Sequence, residues 1–365
     1  MHLDLPPLNH FPLAREHSRS AEMIAEANLY LSSLRLKTTL LSQAQLEHMR
    51  TTDLAGFVPK NVLTEALVCP DGHYDRTLTI SRAVILLFIA DDCVDSTSEA
   101  KRTFFHEIEN ILNGHPDPCE SGVAREIRDV FQTLAVTSTE PEYRQYVRRI
   151  REWFRRVVIF SLDQGSTKSM GCDRAEVDPV HPTKISTYLE MRRKNVAGYA
   201  TAALARYAAG IYVSDEELSD PLLSRCSDLG IDLASYEKEI LQEKQSTGRP
   251  TVNLVGLILE HGADGRQFTT PSEVKLFIQE EIERYEGMFH ASLSTALSDM
   301  DDKGVPKSDH RRRWLYILPY IVSGNAWWGQ TCGRYNLPGK PVLRKIIHLE
   351  GGGDIIEPEP ACSKT

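Results

Sequence analysis

A chain of 365 residues, 41% hydrophobic and 25% charged, can bury one large core or two smaller ones. Its formal net charge of −9 excludes a general affinity for nucleic acid or anionic membranes, although a local basic patch could still hold an anion. The seven cysteines are odd in number and scattered, with neither a CxxC pair nor histidines at zinc spacing, so they read as reduced thiols of a cytoplasmic protein.

In chain order, residues 1–20 carry Pro6, Pro7 and Pro12 and no continuous apolar stretch, which predicts an N-terminal strap rather than a signal peptide or membrane anchor. Helical periodicity then predicts helices over about 20–36, 42–56, 59–68, 78–96, 100–113, 122–136, 141–163, 184–210, 215–225, 228–245, 251–262, 271–300 and 308–333. Period-two alternation is scarce, so the predicted fold class is all-α, a single domain over 21–350 with no internal repeat. Thr139 with Glu142, Ser214 with Glu217 and Thr270 with Glu273 read as capping boxes, the last with Pro271 at the first helical position. The small-apolar run from Val196 to Val213 is interrupted by Thr201 and Arg206, which suits a buried helix better than a membrane span. Residues 163–183 and 246–250 read as mobile loops, and 351–365, with three glycines and two prolines, as a flexible tail or late strap.

Chemistry concentrates in a few stretches. On a helix, Phe88, Asp91, Asp92 and Asp95 fall at i, i+3, i+4 and i+7, one stripe continuing the apolar positions Ile80, Val84 and Leu87. Carboxylates that close repel one another unless cations sit among them, and hard oxygen ligands point to Mg2+ or Mn2+. A DDxxD pentad is also common at solvated helix ends; the nearly unbroken apolar run above this one argues for a site. A metal-bound polyanion beside an apolar wall has the shape of a prenyl diphosphate.

Further along, Arg148, Arg149, Arg151, Arg155 and Arg156 surround Trp153 and Phe154 and read as a solvated face with an aromatic anchor. The stretch Tyr188–Gly198, YLEMRRKNVAG, runs a basic cluster into a small-residue helix, and Gly198 predicts a local break that frees backbone groups near Arg192. In DLGIDLASYEKE, Ser235 and Glu239 are i, i+4, with Asp228 and Asp232 on the same broad stripe, a second set of oxygen ligands. Late in the chain, WWGQTCGRY places Trp327 and Trp328 ahead of Arg334 and Tyr335.

An aspartate-rich helix at 91, RRxxxxG at 192, SxxxE at 235 with Lys238 inside it, and an RY pair at 334 together resemble the class I terpene cyclases, in particular the fungal sesquiterpene cyclases. The resemblance runs from about Phe88 to Tyr335. It implies a single-domain α-helical bundle around a central apolar cavity, and Mg2+-dependent ionisation and cyclisation of a linear prenyl diphosphate, farnesyl diphosphate first among the candidates. Position by position, it implies Asp91 as a ligand bridging two Mg2+ ions, Asp92 as partner of Arg334, and Asp95 as a further candidate for either role. It implies Arg192 as the arginine that senses diphosphate, Asn195 and the Val196 carbonyl as its relay, and Ser235 and Glu239 as ligands of a third Mg2+. Lys238, Arg334 and Tyr335 match the groups that bind diphosphate oxygens. Phe88, Trp153, Phe154, Tyr188, Trp327 and Trp328 are the aromatic faces that would stabilise a carbocation.

One departure stands out. The family pattern NDxxSxxxE begins with an asparagine ligand, and here that position is Ile231, whose side chain cannot coordinate Mg2+. Three outcomes are open: Asp232 or Asp228 reaches in, water fills the gap, or the third ion binds poorly. The sequence leaves a geranylgeranyl diphosphate cyclase and a non-catalytic diphosphate-binding protein as alternatives, and a monomer or a homodimer as the assembly.

Overall fold

The computed structural model describes residues 17–37, 69–93, 106–114, 122–161, 185–195, 197–242, 254–331, 343–349 and 353–358. The helices are α1 (Ser20–Lys37), α2 (Tyr74–Cys93), α3 (Gly122–Thr137), α4 (Glu140–Ser161), α5 (Ile185–Asn195), α6 (Gly198–Ala208), α7 (Asp215–Leu218), α8 (Pro221–Gln242), α9 (Leu254–His261), α10 (Pro271–Asp302) and α11 (His310–Thr331). A further helical stretch occupies 106–112. The expected helices over 42–56 and 59–68, and the loops 163–183 and 246–250, lie outside the described residues.

The innermost helix is α6. Its sequence, GYATAALARYA, offers alanine on nearly every face, and Ala200 and all of Ala202–Ala208 are buried. A helix apolar all round has no solvated side, so other helices must surround it. On one flank, α2 presents buried Ile80, Ala83, Ile85 and Leu86, with Thr77 and Ser81 satisfying their buried hydroxyls on the carbonyls of His73 and Thr77. On another, Tyr146 of α4 meets Tyr207 edge to face with ring centroids 5.5 Å apart.

One end of this bundle is tied by hydrogen bonds to helix termini. His73 N donates to Ala208 O at 2.8 Å, and Arg76 reaches the carbonyls of Tyr207 (3.1 Å) and Thr137 (3.0 Å), the last turns of α6 and α3. Arg313 donates to Ala209 O at 2.9 Å, and Gln145 to Val213 O at 3.0 Å. Gly210, at φ 62°, closes α6 in a Schellman arrangement, with Ile211 N on Arg206 O and Gly210 N on Tyr207 O.

The capping boxes at Ser214 and Thr270 form in full. At Thr139 the Glu142 carboxylate accepts from both the backbone N–H (2.6 Å) and the hydroxyl of Thr139. The stretch 184–210 carries the expected break: it forms two helices, separated where Ala197, next to Gly198, takes a left-handed φ of 59°. Two other expectations are corrected. The helices expected at 215–225 and 228–245 are instead a single turn, α7, and one long α8, because Asp220 caps a helix start: its Oδ1 accepts from Leu222 N and Leu223 N, with Pro221 at the first position. The fold class is all-α, as expected, with one short strand pair added to it. Leu343–Leu349 (β1) and Gly353–Pro358 (β2) pair antiparallel, with Ile346 opposite Ile356, where the sequence left 351–365 without regular structure.

Candidate active site

The directions of four helices decide where the chemical stretches lie. α2 starts beside the end of α6, at His73 and Ala208, and runs antiparallel to it, so Asp91 and Asp92 are carried toward the end of the bundle where α6 begins. α6 begins at the break after α5, whose last turn holds Arg192 and Asn195. The start of α6 lies against α8, where Tyr199 OH donates to Asp228 Oδ1 at 2.8 Å, and from there α8 continues through Ser235, Lys238 and Glu239. α11 starts near the far end of α6, with Arg206 over the Trp314 ring, and runs alongside α8: Trp314 donates to Ser227 at 3.2 Å, and Gly230 lies opposite Val322. Its last turns carry Trp327 and Trp328.

The helix break and the SxxxE turns therefore lie toward the end of the bundle opposite the hydrogen-bonded one, and the aspartate-rich turn and the Trp pair are in the last turns of α2 and α11, helices that start at the hydrogen-bonded end. The side chains of Phe88, Asp91, Asp92, Arg192, Asn195, Ser235, Lys238, Glu239, Trp327 and Trp328 lie outside what the structure describes, and so do residues Asp95, Val196, Arg334 and Tyr335 altogether. Of the aromatic candidates, Phe154 and Tyr188 are buried in the main apolar cluster, with Trp153 packed against it.

The described centre of this end is the α5–α6 break. Arg193 forks onto Asp232, with Nε to Oδ1 at 2.6 Å and Nη2 to Oδ2 at 2.7 Å, and its Nη1 lies 3.5 Å from Asp228 Oδ2. Burial works to lower the Arg193 pKa, but the hydrogen bonds and charge of Asp232 outweigh it and raise it. Arg193 thus clamps α5 to α8, and Tyr199 clamps α6 to α8 through Asp228. Asp232, expected among the metal ligands, has both oxygens on Arg193 and no exposed surface, so the gap at Ile231 is not filled from this carboxylate. The sequence showed the Arg192–Arg193 pair but not that its second member turns to α8; the acidic residues four apart at 228 and 232 were the available signal.

Ile231 has a definite place. It is 5% exposed, and a methyl group built on Gly198 would fall inside the van der Waals shell of its Cγ2. The same methyl would lie 3.2 Å from Arg193 O, so a glycine is needed where the two helices meet Ile231. Among the described residues no group of three His, Cys, Asp or Glu could hold a metal ion.

Residues 82–262 match the family described as terpene synthase family 2, C-terminal metal binding. This part of the chain is a terpene synthase metal-binding region. Aristolochene synthase of Penicillium roqueforti is 27% identical to the chain over 169 residues, 45% of this chain and 46% of that protein, so the chain spans about half the length of the curated relatives it matches. Two crystal structures share its fold. Germacradien-4-ol synthase from Streptomyces citricolor has a TM-score of 0.68 and 15% identity, covering 90% of this chain and 97% of that one. Aristolochene synthase from Penicillium roqueforti has a TM-score of 0.64 and 19% identity, covering 90% and 99%. The matched residues span both the aspartate-rich turn that ends α2 and the SxxxE turns of α8.

Proposed function

We propose that the chain ionises and cyclises a linear prenyl diphosphate, farnesyl diphosphate first, releasing diphosphate and a sesquiterpene. What supports this reading is the placement of the motifs on the helices: Asp91 and Asp92 end α2, Arg192 lies in the last turn of α5 beside the helix break, and Ser235, Lys238 and Glu239 lie in the second half of α8. Relatives named aristolochene synthase and (+)-eremophilene synthase support the sesquiterpene assignment.

The donor set is made of oxygens alone, which suits Mg2+, with Mn2+ as a substitute. Asp91, Asp92 and Asp95 would hold ions on one side and Ser235 and Glu239 on the other, with water at the position Ile231 leaves. Such ions, when bound, stabilise the charge that develops on the leaving diphosphate. Arg192, with Asn195 and Val196 behind it, and Lys238, Arg334 and Tyr335 bind diphosphate oxygens and hold the reacting carbon at the mouth of the apolar interior. Phe88, Trp327 and Trp328 line the path of the cation. Among the described residues no helix is long and apolar enough to cross a membrane, and the reading places a monomer or homodimer in the cytoplasm.

The test is gas chromatography with mass detection of hexane extracts after incubation with farnesyl diphosphate, with and without Mg2+, beside geranyl and geranylgeranyl diphosphates. A Mg2+-dependent C15 product is expected; a C20 product would move the substrate to geranylgeranyl diphosphate. The second reading, a diphosphate-binding protein without turnover, draws on the burial of Ile231 at the usual ligand position. Diphosphate binding with no product from any of the three substrates would put it first.

A further inference from the structure

Behind the α5–α6 break, a cavity of about 570 Å3 opens between α4, α6, α7, α8 and the start of α11, with Arg149, Tyr199, Arg206, Ser224, Asp228 and Trp314 in its walls. Its size is that of a small-molecule site. Arg148, Glu152 and Asp215 stand at its rim, and their charges are already matched. Arg148 and Arg149 pair with Asp215 and Glu152, while Asp228 accepts from Tyr199 and faces Arg193.

Arg206 is the exception. It is 3% exposed, in the middle of the alanine-rich helix, and among the described residues no carboxylate pairs with it. Its Nη2 donates to the neutral amide oxygen of Gln145 at 3.1 Å, its plane lies 4.8 Å from the Trp314 ring centroid, and its Nε, also buried, has no hydrogen-bond partner. Burial pushes its pKa down to about 10, which still leaves it cationic at neutral pH. A buried cation with no carboxylate in contact is costly, the charge of Asp215 reaching Arg206 only from beyond Gln145, and a buried N–H without an acceptor adds to that cost.

We propose that this cavity binds a small phosphorylated organic anion, with Arg206 as the buried anchor of its phosphoryl oxygens and Arg149 beside it. The guanidinium supplies planar donors that match phosphate oxygens. The rest of the cavity suits the organic body: the hydroxyls of Tyr199, Ser224 and Ser227 offer polar contacts, and Leu218, Ile231 and Trp314 offer apolar ones. Ile231 is shared between this cavity and the α5–α6 break, so an occupant lies directly behind the helix junction that carries Arg192.

The test uses the full chain at pH 7 without divalent metal, in EDTA with ionic strength held constant by chloride, so that it does not depend on prenyl diphosphate turnover. Calorimetric titration compares inorganic phosphate with glycerol 3-phosphate on wild type, Arg206→Met and Ser224→Phe, the last filling the cavity without touching the charge. Saturable binding to wild type that weakens at least about tenfold in both variants is expected, and Arg206→Met should melt higher than wild type in anion-free buffer. Tighter binding of glycerol 3-phosphate assigns an organic phosphate; equal binding assigns the free oxyanion. No saturable binding of either, or binding unchanged in the two variants, would overturn the proposal, and if Arg206→Met does not fold, Ser224→Phe decides.

Discussion

Ile231 fills the space that a side chain at Gly198 would need, so the residue standing where the family places a metal ligand instead seats the junction of α5 and α6. Gly198→Ala should therefore destabilise the protein by about 1–3 kcal/mol through overpacking. The double change Gly198→Ala with Ile231→Ala should cost clearly less than the sum of the two single changes, because the cavity left by one accepts the methyl of the other. Denaturant unfolding of the four proteins measures this, and strict additivity would show that the two residues do not share the space.

The Arg193–Asp232 pair gives a second prediction. Removing Arg193 leaves Asp232 buried and unmatched, so Arg193→Met should cost about 3 kcal/mol or more, and Asp232→Asn should cost less because Asp228 still faces Arg193. Replacing both, as Arg193→Met with Asp232→Leu, should restore much of the loss. A double-mutant cycle in urea reads the coupling directly.

Asp215 supplies a pH dependence. A hydrogen bond from Arg148, then the charges of Arg148 and Arg149, hold its carboxyl below the usual aspartate value. A depressed folded-state pKa stabilises the fold fully above the unfolded aspartate value, near 3.9, and the contribution is lost as pH falls below that toward the folded value. Asp215→Asn should flatten the stability curve over this acid limb and leave its shape above pH 5 unchanged. Thermal melts between pH 2.5 and 6 would show it.

The proposed reaction predicts what the SxxxE turn contributes. Ser235→Ala and Glu239→Gln should each lower kcat by about a hundredfold or more while the helical content stays unchanged. EDTA should abolish turnover, and added Mg2+ should restore it. Ile231→Asn should change kcat less than about tenfold, since water already occupies the position in the proposed site. A rise of several orders of magnitude would mean that the wild-type site is impaired.

Much of this arrangement was legible in the sequence. Helical periodicity placed most of the described helices, and the break near Gly198 followed from a glycine inside a small-residue helix. The α7–α8 boundary was missed because the apolar pattern from Leu222 to Leu233 was divided by its charges, when the stronger local signal was Asp220 followed by Pro221. The β1–β2 pair was missed because the glycines and prolines of the 351–365 sequence argued for irregular chain. Asp232 and Arg206 could not be assigned from pattern alone. Whether a charge on a helix meets a partner, a metal or nothing depends on which neighbour faces it, and that is a property of helix directions rather than of spacing.

The hydrogen bonds that gather at one end, from His73, Arg76, Gln145 and Arg313 to carbonyls at the ends of α3 and α6 and in the loop beyond α6, have a consequence for how such a chain can change over generations. They fasten the bundle by contacts that involve none of the residues at the opposite end. In the proposed reaction, new side chains at that opposite end could be tried without loosening the fastening, and a product profile could drift while the frame that bears it stays as it is.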